Sequence, residues 1–68
     1  MNTDDAIRIA RKHVGNGAAM ESSARVCLQD AIELHAKGQY EYAKKRALKS
    51  LGYSVGIFSL DYQRVANG

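Results

Sequence analysis

The chain has 68 residues, of which 46% are hydrophobic and 25% charged, and it contains no proline. This length allows one small domain, residues 1–68, and excludes a multidomain enzyme. Ten basic and seven acidic side chains give a net charge of +3, which permits weak attraction to nucleic acid or to acidic proteins without requiring either.

A first helix is predicted over residues 4–14. Asn2 or Thr3 can cap it, and acids at its start and bases at its end complement the helix dipole. The stretch Gly15-Asn16-Gly17 then ends it. Its apolar stripe is thin, so we expect this helix to cover the core rather than form it; the stripe consists of Ile7, Ala10 and Val14.

A long antiparallel helical hairpin is predicted next, with helices over residues 18–37 and 39–65 and a left-handed stop at Gly38. Apolar residues of the second helix recur at helical spacing: Met20, Ala24, Cys27, Ala31 and Leu34, widened by Leu28 and His35. The third helix has one continuous face: Tyr40, Ala43, Ala47, Leu51, Val55, Phe58, Tyr62 and Val65. The sequence therefore predicts an all-α, three-helix fold.

Two glycines interrupt this pattern. Gly52 and Gly56 each cost about 1 kcal/mol relative to alanine inside a helix, so a bend or break is the alternative to a straight third helix. Residues 53–60 are also compatible with a strand, but a single strand has nothing to pair with in a helical chain unless two copies pair.

A second stripe lies opposite the core face of the third helix. Its apolar, aromatic and basic members form the candidate protein-binding face: Tyr42, Arg46, Lys49, Tyr53, Ile57 and Leu60, extended by Arg64. Between the stripes, Gly52, Gly56 and Ser59 form a small-residue groove where the helix of a second copy could approach closely. The alternatives are that Ile57 and Leu60 pack under the first helix and that the groove packs within the monomer.

The charges leave a basic surplus. Five acid–base pairs have spacings that stabilise a helix: Asp4–Arg8, Glu21–Arg25, Glu33–Lys37, Glu41–Lys45 and Asp61–Arg64. The cations outside these pairs are Arg11, Lys12, Lys44, Arg46 and Lys49. A nucleic-acid-binding patch at Lys44, Lys45, Arg46 and Lys49 is therefore the alternative function, and a solvated helix face is the simpler explanation.

The sequence offers little for catalysis. We find no phosphate-binding glycine loop, nucleophile motif or metal-binding motif, so we predict no enzyme, no catalytic residue, no metal and no cofactor. Cys27 lies on the core stripe, where a thiol behaves as a small hydrophobe, and as the only cysteine it cannot form an internal disulfide. The acidic N-terminus and the lack of a long apolar run predict a cytoplasmic chain without a membrane segment.

Arg8 and His13, separated by four residues, resemble the R-x(4–6)-H motif of HEPN-family ribonucleases. In that family the arginine and histidine act on an RNA backbone. Here the motif lies in the first helix, whereas the family carries it late in a longer four-helix bundle. The resemblance implies RNA cleavage as a further alternative.

The segment from Ala36 to Ala43 resembles the turn of a tetratricopeptide-type or MIT-type helical hairpin, through its glycine, tyrosine and alanine spacing. The resemblance covers residues 24–51. Ala47 stands where a large aromatic residue is expected, and there is no second repeat. The resemblance implies paired helices and protein binding.

Taken together, these patterns predict a non-enzymatic protein–protein interaction module. Below roughly 70–80 residues a single core seldom supplies more than ~3–5 kcal/mol, which favours completion by a second copy or a partner. We therefore expect a homodimer that acts as an adaptor or inhibitor by covering the functional surface of another protein, as bacterial and phage-encoded regulators of this size do.

Overall fold

The computed structural model describes residues 2–15 and 20–68 of the chain. They form four helices: α1 (Thr3–His13), α2 (Glu21–Ala36), α3 (Tyr40–Val55) and α4 (Leu60–Asn67). The described residues contain no strand, so the all-α prediction is confirmed and the strand alternative for residues 53–60 is wrong. The predicted start of the second helix at Ala18 and the predicted break at Asn16 and Gly17 lie outside the described residues.

Helix α1 begins at its predicted cap. The side chain of Asn2 accepts a hydrogen bond from the main-chain N–H of Asp5 at 2.9 Å, which satisfies one of the free donors of the first turn. The helix packs mainly on α3 through its buried residues, Ala6, Ile7, Ile9 and Ala10. Thr3 adds a polar contact, because its hydroxyl donates to the carbonyl of Tyr40 at 3.0 Å.

Helices α2 and α3 form the predicted antiparallel hairpin. Gly38 has φ +80°, the left-handed conformation expected of a helix stop, and the N–H of Gln39 donates back to the carbonyl of Leu34 at 2.9 Å. At the other end of the pair, the buried hydroxyl of Ser50 donates to the carbonyl of Ala24 at 2.8 Å. Small residues let the two backbones approach closely; the fully buried alanines of this interface are Ala24, Ala31, Ala43 and Ala47.

The predicted third helix, 39–65, is broken. Gly56 has φ +87° and ends α3 at Val55, and after a short turn Ser59 caps α4 by accepting from the N–H of Tyr62 at 3.0 Å. Because α4 folds back on the bundle, Val65 still reaches the core. The straight-helix prediction is therefore wrong, and the break at Gly56 is the alternative that the structure adopts.

The break also corrects the predicted core face. Ala43, Ala47 and Leu51 are fully buried, but Phe58 is 90% exposed because it follows the end of α3 and no longer shares its helical phase. Tyr40 and Met20, also predicted to be buried, are exposed as well. Both lie at the margins of helices, where the bundle does not cover them: Tyr40 is the first residue of α3, and Met20 precedes α2.

The observed ion pairs only partly follow the predicted ones. Glu21 and Arg25 are paired as expected, with 2.7 Å between Oε1 and Nη2. Asp5 pairs with Arg8, so the predicted partner of Arg8, Asp4, is replaced. Asp4 instead lies 2.6 Å from Nε2 of His35 in α2. These pairs differ from the prediction because helix packing offers partners that spacing along one helix cannot show.

Candidate functional site

Three large apolar side chains are exposed together where α3 passes into α4. Phe58 is 90% exposed, Leu60 82% and Ile57 52%. We call these three residues the apolar turn. Large apolar side chains clustered on a surface mark interaction sites far more often than single exposed ones do.

The backbone of the apolar turn is held by its own hydrogen bonds. The N–H of Ser59 donates to the carbonyl of Gly56 at 3.2 Å, and the side-chain amide of Gln63 donates to the carbonyl of Ile57 at 2.7 Å. The Ser59 cap also fixes the start of α4. The three side chains are therefore presented from a defined backbone, which lowers the entropy lost when a partner binds.

A shallow groove of about 310 Å³ lies between α2 and α3. Residues of both helices line it: Ser22, Ser23, Val26, Cys27, Lys49 and Tyr53. Cys27 is buried and Val26 is exposed, so the lining combines apolar side chains with the hydroxyl and ammonium groups of the other residues. We call this feature the α2–α3 groove.

The structure divides the predicted protein-binding face into parts. Lys49 and Tyr53 line the α2–α3 groove, while Ile57 and Leu60 belong to the apolar turn. Ile57 and Leu60 are not tucked under α1, so that alternative is wrong. The other two predicted members lie nearer the start of α3: Tyr42 is exposed, and Arg46 forms an ion pair.

The predicted small-residue groove does not exist as one helical face, because the chain leaves α3 at Gly56. Gly52 lies inside α3, where an added Cβ would lie 3.4 Å from the ring of Tyr62 in α4. Gly56 ends α3 and Ser59 caps α4. These three residues therefore shape the α3–α4 connection.

The predicted basic patch is partly neutralised within the molecule. Nε of Arg46 lies 2.9 Å from Oδ2 of Asp30 in α2, so the prediction that left Arg46 outside the ion pairs is wrong. The ammonium of Lys45 lies 5.6 Å from the ring centre of Tyr42, a distance at which a cation is attracted to the ring face. Lys44 belongs to the same stretch, and Lys49 is among the residues that line the α2–α3 groove.

Both histidines connect helices. His13 donates from Nε2 to Oδ2 of Asp61 at 2.6 Å, which joins α1 to α4 and holds the pKa of Asp61 below its ordinary value. Besides its contact with Asp4, His35 packs edge-on against the ring of Tyr40, with 5.1 Å between ring centres. Among the described residues, no group of three or more His, Cys, Asp or Glu is placed to hold a metal ion.

Arg8 and His13, which carry the HEPN-like motif, lie on different sides of α1. Five residues of α-helix rotate the side-chain direction by about 140°, since each residue adds about 100°. Arg8 pairs with Asp5, whereas His13 faces α4. The two side chains do not converge on one site within this chain, and RNA cleavage stays a prediction.

Sequence reasoning missed Phe58 and Val26, the two apolar residues that extend the candidate surface beyond the predicted stripe. The sequence around Phe58 contains a local signal that this residue lies in a turn between two helices. A glycine followed three residues later by a serine, with an acid two residues beyond, is typical of one helix ending and another beginning. Val26 had no such signal, because its exposure depends on how α3 packs against α2.

No protein-family model, curated protein or solved structure matches the chain. Within residues 2–15 and 20–68, no helix combines the length and the apolar character needed to cross a bilayer. The geometry of the apolar turn and the α2–α3 groove is therefore the basis for a functional proposal.

Proposed function

We propose that the protein is a small non-enzymatic protein–protein interaction module that binds its partner through the apolar turn. The observation that carries this proposal is the exposure of Phe58 and Leu60, on a turn whose backbone is fixed by hydrogen bonds. The α2–α3 groove, with Tyr53 and Val26, extends the contact surface.

The physical support is the free energy available on burial. Transfer of a Leu, Ile or Phe side chain from water to a packed interface stabilises a complex by about 1.5–3 kcal/mol. Three such side chains on one turn supply a compact apolar centre of the kind that dominates binding energy in interfaces. Aromatic and basic side chains are typical of interface contact area, and Tyr53 and Lys49 supply them in the α2–α3 groove.

Such a module acts by occupancy, because a chain of 68 residues can cover a functional surface of another protein or join two proteins. We therefore propose an adaptor or inhibitor role in the cytoplasm. Self-association into a homodimer, through a surface other than the apolar turn, is part of the same proposal, as is a relation to tetratricopeptide-type or MIT-type hairpins. Binding to nucleic acid remains the alternative prediction, and the ion pair of Arg46 with Asp30 reduces its support.

The test is affinity capture from cells that carry the protein naturally, comparing the wild type with Phe58→Ser and with Ala66→Ser. Ala66 is an exposed residue of α4 and serves as the matched control. We expect one or more proteins to be retained by the wild type and by Ala66→Ser. Their retention should fall by about tenfold or more with Phe58→Ser, since ~1.4 kcal/mol corresponds to tenfold in affinity. Equal retention by all three proteins would refute the proposal.

A further inference from the structure

We propose that the protein has a second binding site, a cleft between α1 and the end of α2 that takes a nucleoside monophosphate. The cleft consists of two neighbouring cavities of about 400 and 430 Å³, each within the size range of small-molecule sites. Asp4 and His35 line both cavities, so the two adjoin at this ion pair. We call the first the arginine cavity and the second the tyrosine cavity.

The arginine cavity combines apolar side chains with two guanidinium groups. Its lining comes from α1 and α2: Asp4, Ile7, Arg8, Arg11, Ile32 and His35. Arg8 and Arg11 are three residues apart on α1, which places them on the same face of the helix. Guanidinium groups bind phosphate oxygens through paired, charge-assisted hydrogen bonds, so two of them on one face suit the double charge of a phosphate monoester.

Both guanidinium groups have hydrogen-bonding capacity to spare. Arg11 is exposed and has no ion pair among the residues that the structure describes. Arg8 lies 3.5 Å from Asp5, and because 72% and 44% of the two side chains are exposed, this pair is weak. It engages one nitrogen of a group that has five N–H donors. The acid in the lining, Asp4, is already paired with His35, so the cavity retains an excess of positive charge.

The tyrosine cavity supplies an aromatic ring and acceptors for hydroxyl groups. It is lined by Asn2, Thr3, Asp4, His35 and Tyr40. Tyr40 is 55% exposed and its ring is held edge-on against His35, so it can stack on a nucleobase. A carboxylate has two acceptor oxygens. Oδ2 of Asp4 can therefore accept hydrogen bonds from sugar hydroxyls while Oδ1 stays with His35.

The order of these groups along the cleft matches the order of the parts of a nucleotide. Tyr40 lies beside the start of α1, because its carbonyl accepts a hydrogen bond from Thr3. Asp4 follows, and Arg8 and Arg11 come about 6 and 10 Å further along the helix axis, at 1.5 Å per residue. A nucleoside monophosphate has the same sequence of base, hydroxyl-bearing sugar and phosphate. One small ligand can therefore contact the ring, the carboxylate and the guanidinium groups together.

The cleft is separate from the apolar turn. Helix α3 begins at Tyr40, beside the cleft, and ends at Val55, just before the turn. Its 16 residues span about 24 Å, so the two surfaces lie at opposite ends of the helix. The arginines lie at one end of the cleft only, which suits a single phosphate group rather than the repeated phosphates of a nucleic-acid strand. Ligand binding in the cleft and partner binding at the turn can therefore fail or hold independently.

The experiment is a titration of the isotope-labelled protein with AMP, GMP, CMP and UMP, followed by the NMR chemical shifts of its amides. Adenosine, ribose 5-phosphate and inorganic phosphate are titrated in parallel to separate the contributions of base and phosphate. Two double variants are compared: Arg8→Gln with Arg11→Gln, and, as a matched control, Lys49→Gln with Arg64→Gln. All four residues are exposed, each double variant removes two positive charges, and circular dichroism verifies the fold.

The expected result is that at least one nucleoside monophosphate binds and shifts the amides of residues 3–11 and 32–40 more than those of residues 56–60. Its affinity should exceed those of adenosine, ribose 5-phosphate and inorganic phosphate by tenfold or more. The Arg8/Arg11 variant should weaken binding at least tenfold, and the control variant should weaken it less than twofold.

Four outcomes would overturn the inference. One is that none of the four nucleotides binds. Another is adenosine, ribose 5-phosphate or inorganic phosphate binding as tightly as the nucleotide, which would show that the cleft does not recognise base and phosphate together. A third is equal weakening by both double variants, which would reduce the effect to net charge. The last is an RNA oligonucleotide that binds through Arg8 and Arg11 more than tenfold more tightly than any mononucleotide, which would assign the cleft to a strand.

Discussion

The contrast between Leu51 and Phe58 gives the sharpest prediction from the fold. Leu51 is fully buried where α3 meets α1 and α2, whereas Phe58 is 90% exposed. Leu51→Ala removes buried methyl groups and leaves a cavity, which costs about 2–5 kcal/mol. Phe58→Ala should change the free energy of unfolding by no more than about 0.5 kcal/mol, as expected of an exposed position.

The assay is urea unfolding followed by the helical circular dichroism signal. A domain of this size has a total stability of roughly 3–10 kcal/mol, so Leu51→Ala lowers the midpoint by a large fraction and can unfold the chain. Leu51→Met provides a graded variant, because a swap that conserves volume costs less than about 1.5 kcal/mol. Destabilisation by Phe58→Ala equal to that of Leu51→Ala would refute the break at Gly56, because only a continuous helix buries both side chains.

Three further substitutions test the connection and the helix contacts. Gly56→Ala should destabilise by about 1–3 kcal/mol, because φ +87° with ψ 155° is a backbone conformation essentially restricted to glycine. Gly52→Ala, with helical backbone and an ordinary contact, should be neutral or stabilising by up to about 1 kcal/mol in the same urea assay. Ser50→Ala removes a buried hydrogen bond to a carbonyl of α2 and should cost about 1 kcal/mol by thermal unfolding; no change would contradict the tie between α2 and α3. Asp61→Asn should be less stable than wild type at pH 7. The hydrogen bond from His13 lowers the pKa of Asp61 in the folded state. The ionised Asp61 side chain therefore stabilises the fold fully above about pH 4, and this stabilisation is lost as the pH falls through the lowered pKa. The difference in unfolding free energy between wild type and Asp61→Asn should accordingly narrow in acid. A stability difference between the two proteins that is independent of pH would show that ionisation of Asp61 does not stabilise the fold.

Much of the bundle could be predicted from local patterns. The α2–α3 hairpin follows from apolar residues at helical spacing and from one glycine, Gly38, whose left-handed backbone ends α2. The cap at Asn2 follows from side-chain chemistry within one turn. These features depend on residues close in the chain, which is why sequence alone was sufficient for them.

Helical periodicity favours a straight third helix over a break after α3, and the reason is physical. The apolar positions before and after Gly56 stay nearly in phase with a continuous helix, so periodicity favoured a straight one. The positive-φ, extended backbone of Gly56 and the cap at Ser59 together give two shorter helices. Val65 is buried either way, while Phe58 changes from core to surface.

The candidate surface could be predicted only in part. The helical pattern predicts Ile57 and Leu60 as apolar residues opposite the core face, and the structure exposes both. The ion pair of Arg46 with Asp30 and the lining of the α2–α3 groove join residues of different helices. Contacts of this kind depend on tertiary packing, which spacing along one helix does not report.

The most direct test of the central claim places a photo-crosslinking side chain at the apolar turn. Phe58 is replaced by benzoylphenylalanine, which keeps an aromatic ring at this position. The side chain is exposed, so the larger group does not disturb packing of the core. The protein is irradiated in its own cells, and the crosslinked products are identified by mass spectrometry, with the same replacement at Ala66 as the control. The account predicts a crosslink to a different protein from position 58 and not from position 66. No position-specific product, or a product containing only a second copy of the chain, would contradict it.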